Sequence, residues 1–285
     1  MAEVVGGVAS SHIPAVGVAI DRGRKAEPYW APYFAKLPPM QEWVRELVPD
    51  AAVVVYNDHA SAFSLQLIPT FAIGTAVEFP IADEGFGRRP VPAVQGHPEL
   101  AWHLAESLIL DEFDITIVNE MEVDHGLTVP MSLMFAEPAE WPCPVVPLCV
   151  NVVQYPPPTG NRCFNLGKAI RRAIDSYPGA ERVLVVGTGG MSHQLQGERA
   201  GLVNEAWDHR FLDLLVGEPE QAAAIGHVEY LREAGSEGIE LVMWLVMRGA
   251  LDAEVREVYR ATHVPTSNTH NGVLVLENSG GGPFP

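Results

Sequence analysis

The stretch VVVYNDHASAF, residues 53–63, starts as a run of apolar β-branched residues and passes without a break into Asn57, Asp58 and His59. The apolar part belongs to a longer run, AAVVVYN (51–57), which has the length and composition of a β-strand. Near-continuous apolar strands are typical of a sheet that is covered on both faces. The stretch therefore predicts a buried strand whose end carries polar side chains.

Short apolar runs alternate with longer amphipathic runs along the rest of the chain. Strands are predicted at 3–10, 51–57, 114–120, 144–153, 181–188 and 272–278, and helices at 97–112, 166–177, 204–217 and 237–251. This alternation predicts an α/β fold with a mostly parallel central sheet and helices on both faces. Ligands bind at the carboxyl ends of the strands in such sheets, so we expect the active site there. We expect residues 1–285 to form a single domain with a disordered tail at 279–285.

Composition narrows the possible partners. The formal charge of −18 over 285 residues argues against nucleic acid and against an anionic membrane, because both require a basic face. A small anionic substrate stays possible. The cysteines are odd in number and lack CxxC spacing, so we expect free thiols in a reducing cytoplasm: Cys143, Cys149 and Cys163. We also expect neither a signal peptide nor a membrane-spanning segment.

Histidines follow the predicted strands at four places: His12, His59, His125 and His193. Each one alone has an ordinary explanation as a turn or solvated-loop residue. Four histidines at the same structural position are better explained by one shared site. The remaining histidines lie mostly in helical or loop contexts and are interpreted as structural: His97, His103, His209, His227, His263 and His270.

The glycine-rich turn GTGGMS (187–192) is similar to a dinucleotide-binding GxGxxG motif, but Ser192 stands at the last position. No acidic residue ends a strand about 20 residues further on, so we reject the nucleotide interpretation. The glycines more simply allow a sharp turn that brings His193 near a ligand.

A cluster of histidines at one edge of the sheet suggests a metal-binding site. The chain has no HExxH motif and no paired cysteines, so the common zinc signatures fail. Two histidines and one carboxylate would leave adjacent positions open on Fe(II). Glu240 is a candidate carboxylate, because it lies in the apolar run IELVMWLVM and should need a partner if buried. An exposed glutamate in the first turn of a helix is the alternative.

Five segments together resemble the catalytic subunits of class III, LigB-type extradiol ring-cleaving dioxygenases, the family that includes the β subunit of protocatechuate 4,5-dioxygenase. They are SSHIPA, YNDHASAF, VDHGLTVP, GTGGMSHQLQGERAG and GSEGIELVMW. The resemblance extends over nearly the whole chain and implies that 1–285 is one catalytic domain. It also implies Fe(II) bound by His12, His59 and Glu240, with His193 as acid and base and His125 as a further active-site histidine.

The resemblance places a substrate-carboxylate contact at Ser267, with Asn268 beside it in the segment TSN. It implies extradiol (meta) cleavage of protocatechuate by O₂ to 4-carboxy-2-hydroxymuconate semialdehyde, in the catabolism of aromatic, lignin-derived compounds. Gallate or 3-O-methylgallate as substrate, a zinc-binding or non-enzymatic relative, and a metal-dependent hydrolase stay open as alternatives.

Family members of this type commonly pair with a small helical α subunit, which implies an α2β2-type assembly or a homo-oligomer. The Pro- and aromatic-rich segment 21–40, DRGRKAEPYWAPYFAKLPPM, is consistent with an interface, where aromatic residues are enriched. It is equally consistent with a lid that packs on its own domain.

Overall fold

The computed structural model of the protein describes residues 1–136 and 138–285, without the side chains of residues 265 and 266. Its strands are β1 (Glu3–Ser10), β2 (Ala51–Tyr56), β3 (Phe71–Gly74), β4 (Glu78–Phe79), β5 (Val94–Gln95), β6 (Thr116–Val118), β7 (Val145–Val150), β8 (Arg182–Thr188), β9 (Val255–Thr266) and β10 (Thr269–Asn278). Within the described ranges, β4 and β5 form a small separate sheet, and the other strands form one large sheet.

The helices are α1 (Pro14–Asp21), α2 (Ala31–Phe34), α3 (Pro38–Leu47), α4 (Pro98–Leu110), α5 (His125–Met134), α6 (Gly160–Ser176), α7 (Glu205–Gly217), α8 (Pro219–Ala223), α9 (His227–Glu229) and α10 (Val242–Gly249). A π-helical turn covers Tyr230–Ala234, and a 3₁₀ turn at Gly238–Leu241 leads directly into α10. Proline occupies the first turn of several of these helices, where its missing N–H is not needed.

The large sheet has the strand order β6-β3-β7-β2-β8-β1-β10-β9. Its centre is parallel, because β2 pairs in parallel with both β7 and β8, and β8 pairs in parallel with β1. Strands β9 and β10 add an antiparallel edge. The mostly parallel α/β fold expected from the sequence is confirmed.

Strand β2 shows why the sheet is covered on both faces. All of its residues are buried, and alternate side chains enter different apolar clusters. Val53 and Val55 pack with α4, α6, α7 and α10, whereas Val54 and Tyr56 pack with α1, α3 and α5. Burial on both faces removes the need for polar alternation, which explains the continuous apolar run in the sequence.

Several elements were not expected from the sequence. Strands β3 and β9 and helices α1, α3 and α5 fall in stretches without a clear apolar period, and α5 contains Pro130. The Pro- and aromatic-rich segment 21–40 contains α2 and the start of α3. Short elements of this kind are defined by contacts with distant residues more than by local pattern.

Residues 279–285, which the composition suggests are disordered, contact the core in the structure. Phe284 is only 8% exposed and packs edge-on against Phe164 of α6, with the Arg248 guanidinium over its ring. Pro283 forms a β-bridge with Asp252. The buried aromatic ring therefore holds a Gly/Pro-rich segment that composition alone suggested would be free.

Cys143, Cys149 and Cys163 are buried free thiols. No helix among the described residues is both long and apolar enough to cross a bilayer.

Candidate active site

The candidate site lies at the carboxyl ends of three neighbouring parallel strands. β8 lies between β2 and β1 in the sheet, so the residues that follow these strands meet at one edge. His12 follows β1, His59 follows β2, and His193 follows β8. His125, the first residue of α5, completes the group, with its ring centroid 4.0 Å from that of His59 and 5.6 Å from that of His12. The structure thus brings together the four histidines that the sequence selected.

His12 is held at its Nδ1 atom by the last residue of β8. The Thr188 hydroxyl oxygen lies 3.0 Å from Nδ1. The opposite nitrogen, Nε2, lies 3.3 Å from a carboxylate oxygen of Glu240. A histidine fixed through one ring nitrogen presents the other in a defined direction, as metal-ligating histidines do.

His59 is held by Asp124, the N-cap residue of α5. One carboxylate oxygen of Asp124 accepts hydrogen bonds from the His59 backbone N–H (2.7 Å) and from its Nδ1 (3.0 Å). Burial alone would lower the pKa of His59, but the Asp124 carboxylate outweighs it and raises this pKa to about 9. The same pair lowers the pKa of Asp124 to about 2, although burial opposes this change. The Asn57 amide nitrogen lies 3.0 Å from Nε2 of His59.

Asn57 and Asp58 thus have structural explanations. Asp58 accepts hydrogen bonds from the backbone N–H groups of Ser61, Ala62 and Phe63, and so closes the turn after β2. The polar residues at the end of this buried strand fix the loop from which His59 enters the site.

Glu240 lies in the 3₁₀ turn before α10 and is buried, with 7% exposed. This rules out the exposed first-turn glutamate that the sequence left open. Its carboxylate accepts a hydrogen bond of 2.6 Å from the Gly190 backbone N–H. Burial alone would raise its pKa, but the neighbouring His12, followed by His193 and His59, lowers it well below the usual range. A buried carboxylate with these neighbours is suited to a cation.

The glycine-rich turn after β8 can pass close to Glu240 because it contains Gly189. Gly189 has φ of 128°, and a Cβ at this position would lie 2.8 Å from the Glu240 Cβ. Glycine is therefore required for both the backbone conformation and the contact with Glu240.

His193 is oriented through its own loop. Its Nδ1 donates to the Met191 carbonyl oxygen at 2.7 Å, and its backbone N–H donates to the Ala234 carbonyl oxygen. In the neutral ring, Nε2 is then the unprotonated nitrogen. Nε2 faces the site, 3.9 Å from the Glu240 carboxylate.

His125 is held by Glu84, a residue that the sequence did not single out. The two oxygens of the Glu84 carboxylate accept from the His125 backbone N–H at 3.0 Å and from its Nδ1. Burial and the neighbouring His59 lower the pKa of His125, although Glu84 opposes this effect. Glu84 thus fixes the His125 ring through Nδ1 at the wall of the cavity.

Two candidate sets of metal ligands share His12 and His59, and a further group, Glu84, Asp124 and His125, lies beside them. The ring nitrogens of His12, His59 and His125 lie within 4.8 Å of one another. In the other set, the Glu240 carboxylate, 3.3 Å from His12, takes the place of His125. An ion about 2.1 Å from two ligand atoms at a right angle separates them by about 3 Å, so the His12–Glu240 pair fits one ion. The ligand atoms of the first set are all close enough for one ion, whereas in the second set this is shown for the His12–Glu240 pair.

A cavity of about 640 Å³ opens over these side chains. Its lining includes His12, His59, His125, His193 and Glu240, together with Ser236, Ser267 and Thr269. No arginine or lysine is among the described residues that line it. Ser267 therefore lies at the cavity, whereas Asn268, the next residue of the exposed turn, is not part of the lining.

The aromatic segment packs mainly on its own chain. Tyr33 is buried in the core, and Trp30, Phe34 and Trp43 are partly buried against the same cluster. Tyr29 is 51% exposed, and its hydroxyl oxygen accepts a hydrogen bond from the Ser267 backbone N–H. The segment thus reaches the cavity edge and contacts the turn that carries Ser267.

The fold and the cavity define an α/β protein with a histidine-rich site that is suited to a metal. The family model described as the catalytic LigB subunit of aromatic ring-opening dioxygenase matches residues 6–272. The chain belongs to this family.

Curated relatives carry dioxygenase names. A gallate dioxygenase of Pseudomonas putida is 45% identical over 198 residues, which cover 70% of this chain and 58% of that protein. A 2,3-dihydroxyphenylpropionate/2,3-dihydroxicinnamic acid 1,2-dioxygenase of Comamonas testosteroni is 28% identical, covering 82% of this chain and 86% of the relative. The solved structure of an uncharacterized Escherichia coli K12 protein has the same fold, with a TM-score of 0.53 and 16% identity over 95% of this chain and 99% of that one.

Proposed function

We propose that this chain cleaves the aromatic ring of a benzoate that carries two vicinal hydroxyls. The bond that breaks lies beside the diol, and the reaction uses O₂ and an Fe(II) ion held by His12, His59 and Glu240. The observation that carries the proposal is the convergence of these residues with His125 and His193 on one cavity. Fe(II) would supply Lewis acidity toward the diol and the oxygen chemistry. The choice of Glu240 over His125 rests on charge, because a buried carboxylate compensates a divalent cation and three neutral imidazoles do not.

The ligand choice can be tested with two matched variants. Glu240→Gln should weaken Fe(II) binding by more than about 100-fold, since losing a group that only supports a ligand already costs about 10–100-fold. His125→Gln should retain iron and lose turnover. Iron binding is measured by anaerobic equilibrium dialysis and metal analysis. Iron lost in His125→Gln and retained in Glu240→Gln would replace the proposed ligand set with three histidines.

We assign proton transfer to His193. Its Nδ1 donates to Met191, so the neutral Nε2 can take a proton from a substrate hydroxyl in the cavity and return it during ring opening. His125, held by Glu84, would orient the substrate by a hydrogen bond. His193→Ala should keep iron and lose about 10²–10⁴-fold in kcat, the usual contribution of a general acid–base group. Loss of iron in this variant would make His193 a ligand instead.

The substrate is either protocatechuate, as the sequence motifs suggest, or gallate. The 45% identical relative is named for gallate, which supports the second candidate. With no arginine or lysine in the described lining, hydroxyl and backbone donors such as Ser267 would hold the substrate carboxylate. O₂ uptake by the Fe(II)-reconstituted protein with protocatechuate, gallate, 3-O-methylgallate and catechol in parallel decides between them. No uptake with any of the four would refute the proposed substrate class.

A small helical α subunit or a second copy of the chain stays a proposal for the assembly. The exposed Tyr29 beside the Ser267 turn supports a contact surface at the cavity edge. We expect the chain alone to bind iron and turn over slowly, and an added α subunit to raise kcat. A monomer by light scattering whose kcat does not respond to that subunit would assign the aromatic segment as an internal lid.

A further inference from the structure

A second group of ligand-competent side chains lies outside the active-site cavity, where the start of α7 meets the start of β10. We propose that Glu205, His209 and His270 form a separate site for a divalent transition-metal ion of the Zn²⁺ type. Their potential ligand atoms all lie within 4.8 Å of one another. None of these residues lines the active-site cavity.

His270 provides the strongest observation. The residue is completely buried, and its Nδ1 lies 2.7 Å from an Asp208 carboxylate oxygen. Asp208 also accepts from the backbone N–H and the hydroxyl of Ser192, so it acts only as an acceptor. Nδ1 of His270 therefore donates to Asp208, and in the neutral ring Nε2 carries a lone pair.

This lone pair has no hydrogen-bond partner among the described residues, and Nε2 is itself buried. Buried polar atoms in native proteins almost always have a partner, so an unpaired one calls for an explanation. A metal ion bound to Nε2 would be the missing partner of this atom. Asp208 would then be the carboxylate that orients a ligating histidine through its other nitrogen, an arrangement common around protein metals.

Glu205 and His209 supply the remaining ligands. They lie four residues apart in the first turns of α7, so their side chains share one face of the helix. The His209 ring centroid lies 5.9 Å from that of His270. Both side chains are exposed and free to adjust their rotamers toward an ion. Two imidazoles and one carboxylate form a donor set that zinc uses in proteins.

The ordinary alternative is a structural histidine beside an unrelated Glu/His pair at a helix start. It explains the Nδ1 contact of His270 and leaves the Nε2 atom unexplained. An ion here would tie α7 to β10 through side chains. Because Asp208 also holds Ser192, the neighbour of His193, the ion would stabilise the loop that carries the acid–base histidine.

The test counts bound Zn²⁺ per chain in the chelator-stripped protein by equilibrium dialysis. His59→Ala removes a ligand from the proposed iron site, and His209→Ala removes one from the second site. We expect two ions in the wild type, one in each single variant and none in the double variant. His103→Ala, on α4, is the matched histidine control and should retain both. Glu205→Gln should weaken the second ion without changing the first.

Thermal unfolding provides an independent measurement. Zn²⁺ should raise Tm of the His59→Ala variant, and this rise should vanish in His59→Ala/His209→Ala. His209 is exposed, so its substitution should leave the fold intact. An unchanged ion count and an unchanged Tm response in His209→Ala would overturn the second site. A wild type with one ion that only His209→Ala removes would support the second site and refute metal binding at the first.

Discussion

Gly190 offers a test of the proposed role of His193 that leaves every proposed metal ligand in place. An added Cβ at Gly190 would lie 2.7 Å from His193 Cε1 and 2.8 Å from the Thr269 methyl group. Ordinary van der Waals contact begins at 3.4 Å, so the His193 ring must move by about 0.7 Å in Gly190→Ala. This movement acts against the hydrogen bond from His193 Nδ1 to Met191.

A misplacement of about 1 Å can cost about 10²-fold in rate, so we expect kcat to fall by about 10–100-fold. Overpacking should lower the free energy of unfolding by about 1–3 kcal/mol. Iron content should stay close to the wild-type value, because the Gly190 N–H that donates to Glu240 is retained. The measurements are O₂ uptake over a substrate range, iron per chain and urea unfolding.

Gly217→Ala is the matched control, because a Cβ there meets no atom within 4 Å. It should leave kcat unchanged and stabilise the protein by up to about 1 kcal/mol. Turnover of Gly190→Ala within twofold of the wild type would refute the requirement for a fixed His193. A parallel loss of iron would show that the substitution acts through Glu240 instead.

Three further predictions concern binding and stability. Ser267→Ala should raise KM for protocatechuate or gallate by about 10-fold or more, which is the value of a hydrogen bond to a charged group, and should leave KM for catechol unchanged. Equal changes in KM for all substrates would show that Ser267 does not bind the substrate carboxylate. Asp124→Asn should weaken Fe(II) binding by about 10–100-fold, because the amide cannot accept all three hydrogen bonds that the carboxylate accepts from His59 and Gly126. Metal titration at constant pH measures the affinity for Fe(II), and an affinity equal to that of the wild type would contradict the prediction. Phe284→Ala should lower the free energy of unfolding by about 3 kcal/mol, since the ring is buried against the core; an unchanged denaturation midpoint would support a free tail.

The sequence by itself determined the central sheet and the candidate residues at its edge. The run at 51–56 is apolar at every position because both faces of β2 are covered, and such a pattern is local and visible without contacts. The histidines after β1, β2 and β8 could be selected because the carboxyl ends of parallel strands meet at one edge. The motif resemblance added the expected roles of Glu240 and Ser267, which periodicity did not supply.

Only the tertiary structure decided which groups hold these residues. Thr188 contacts His12 across 176 residues, Asp124 contacts His59 across 65, and Glu84 contacts His125 across 41. The structure also showed that Glu240 is buried and that Phe284 fixes the tail. Likewise, the Asp208–His270 pair joins α7 to the last strand, although both residues lie in stretches without a motif. Such contacts depend on the order of strands in the sheet and on the path of the loops, whereas a local pattern of apolar residues encodes only the strand itself.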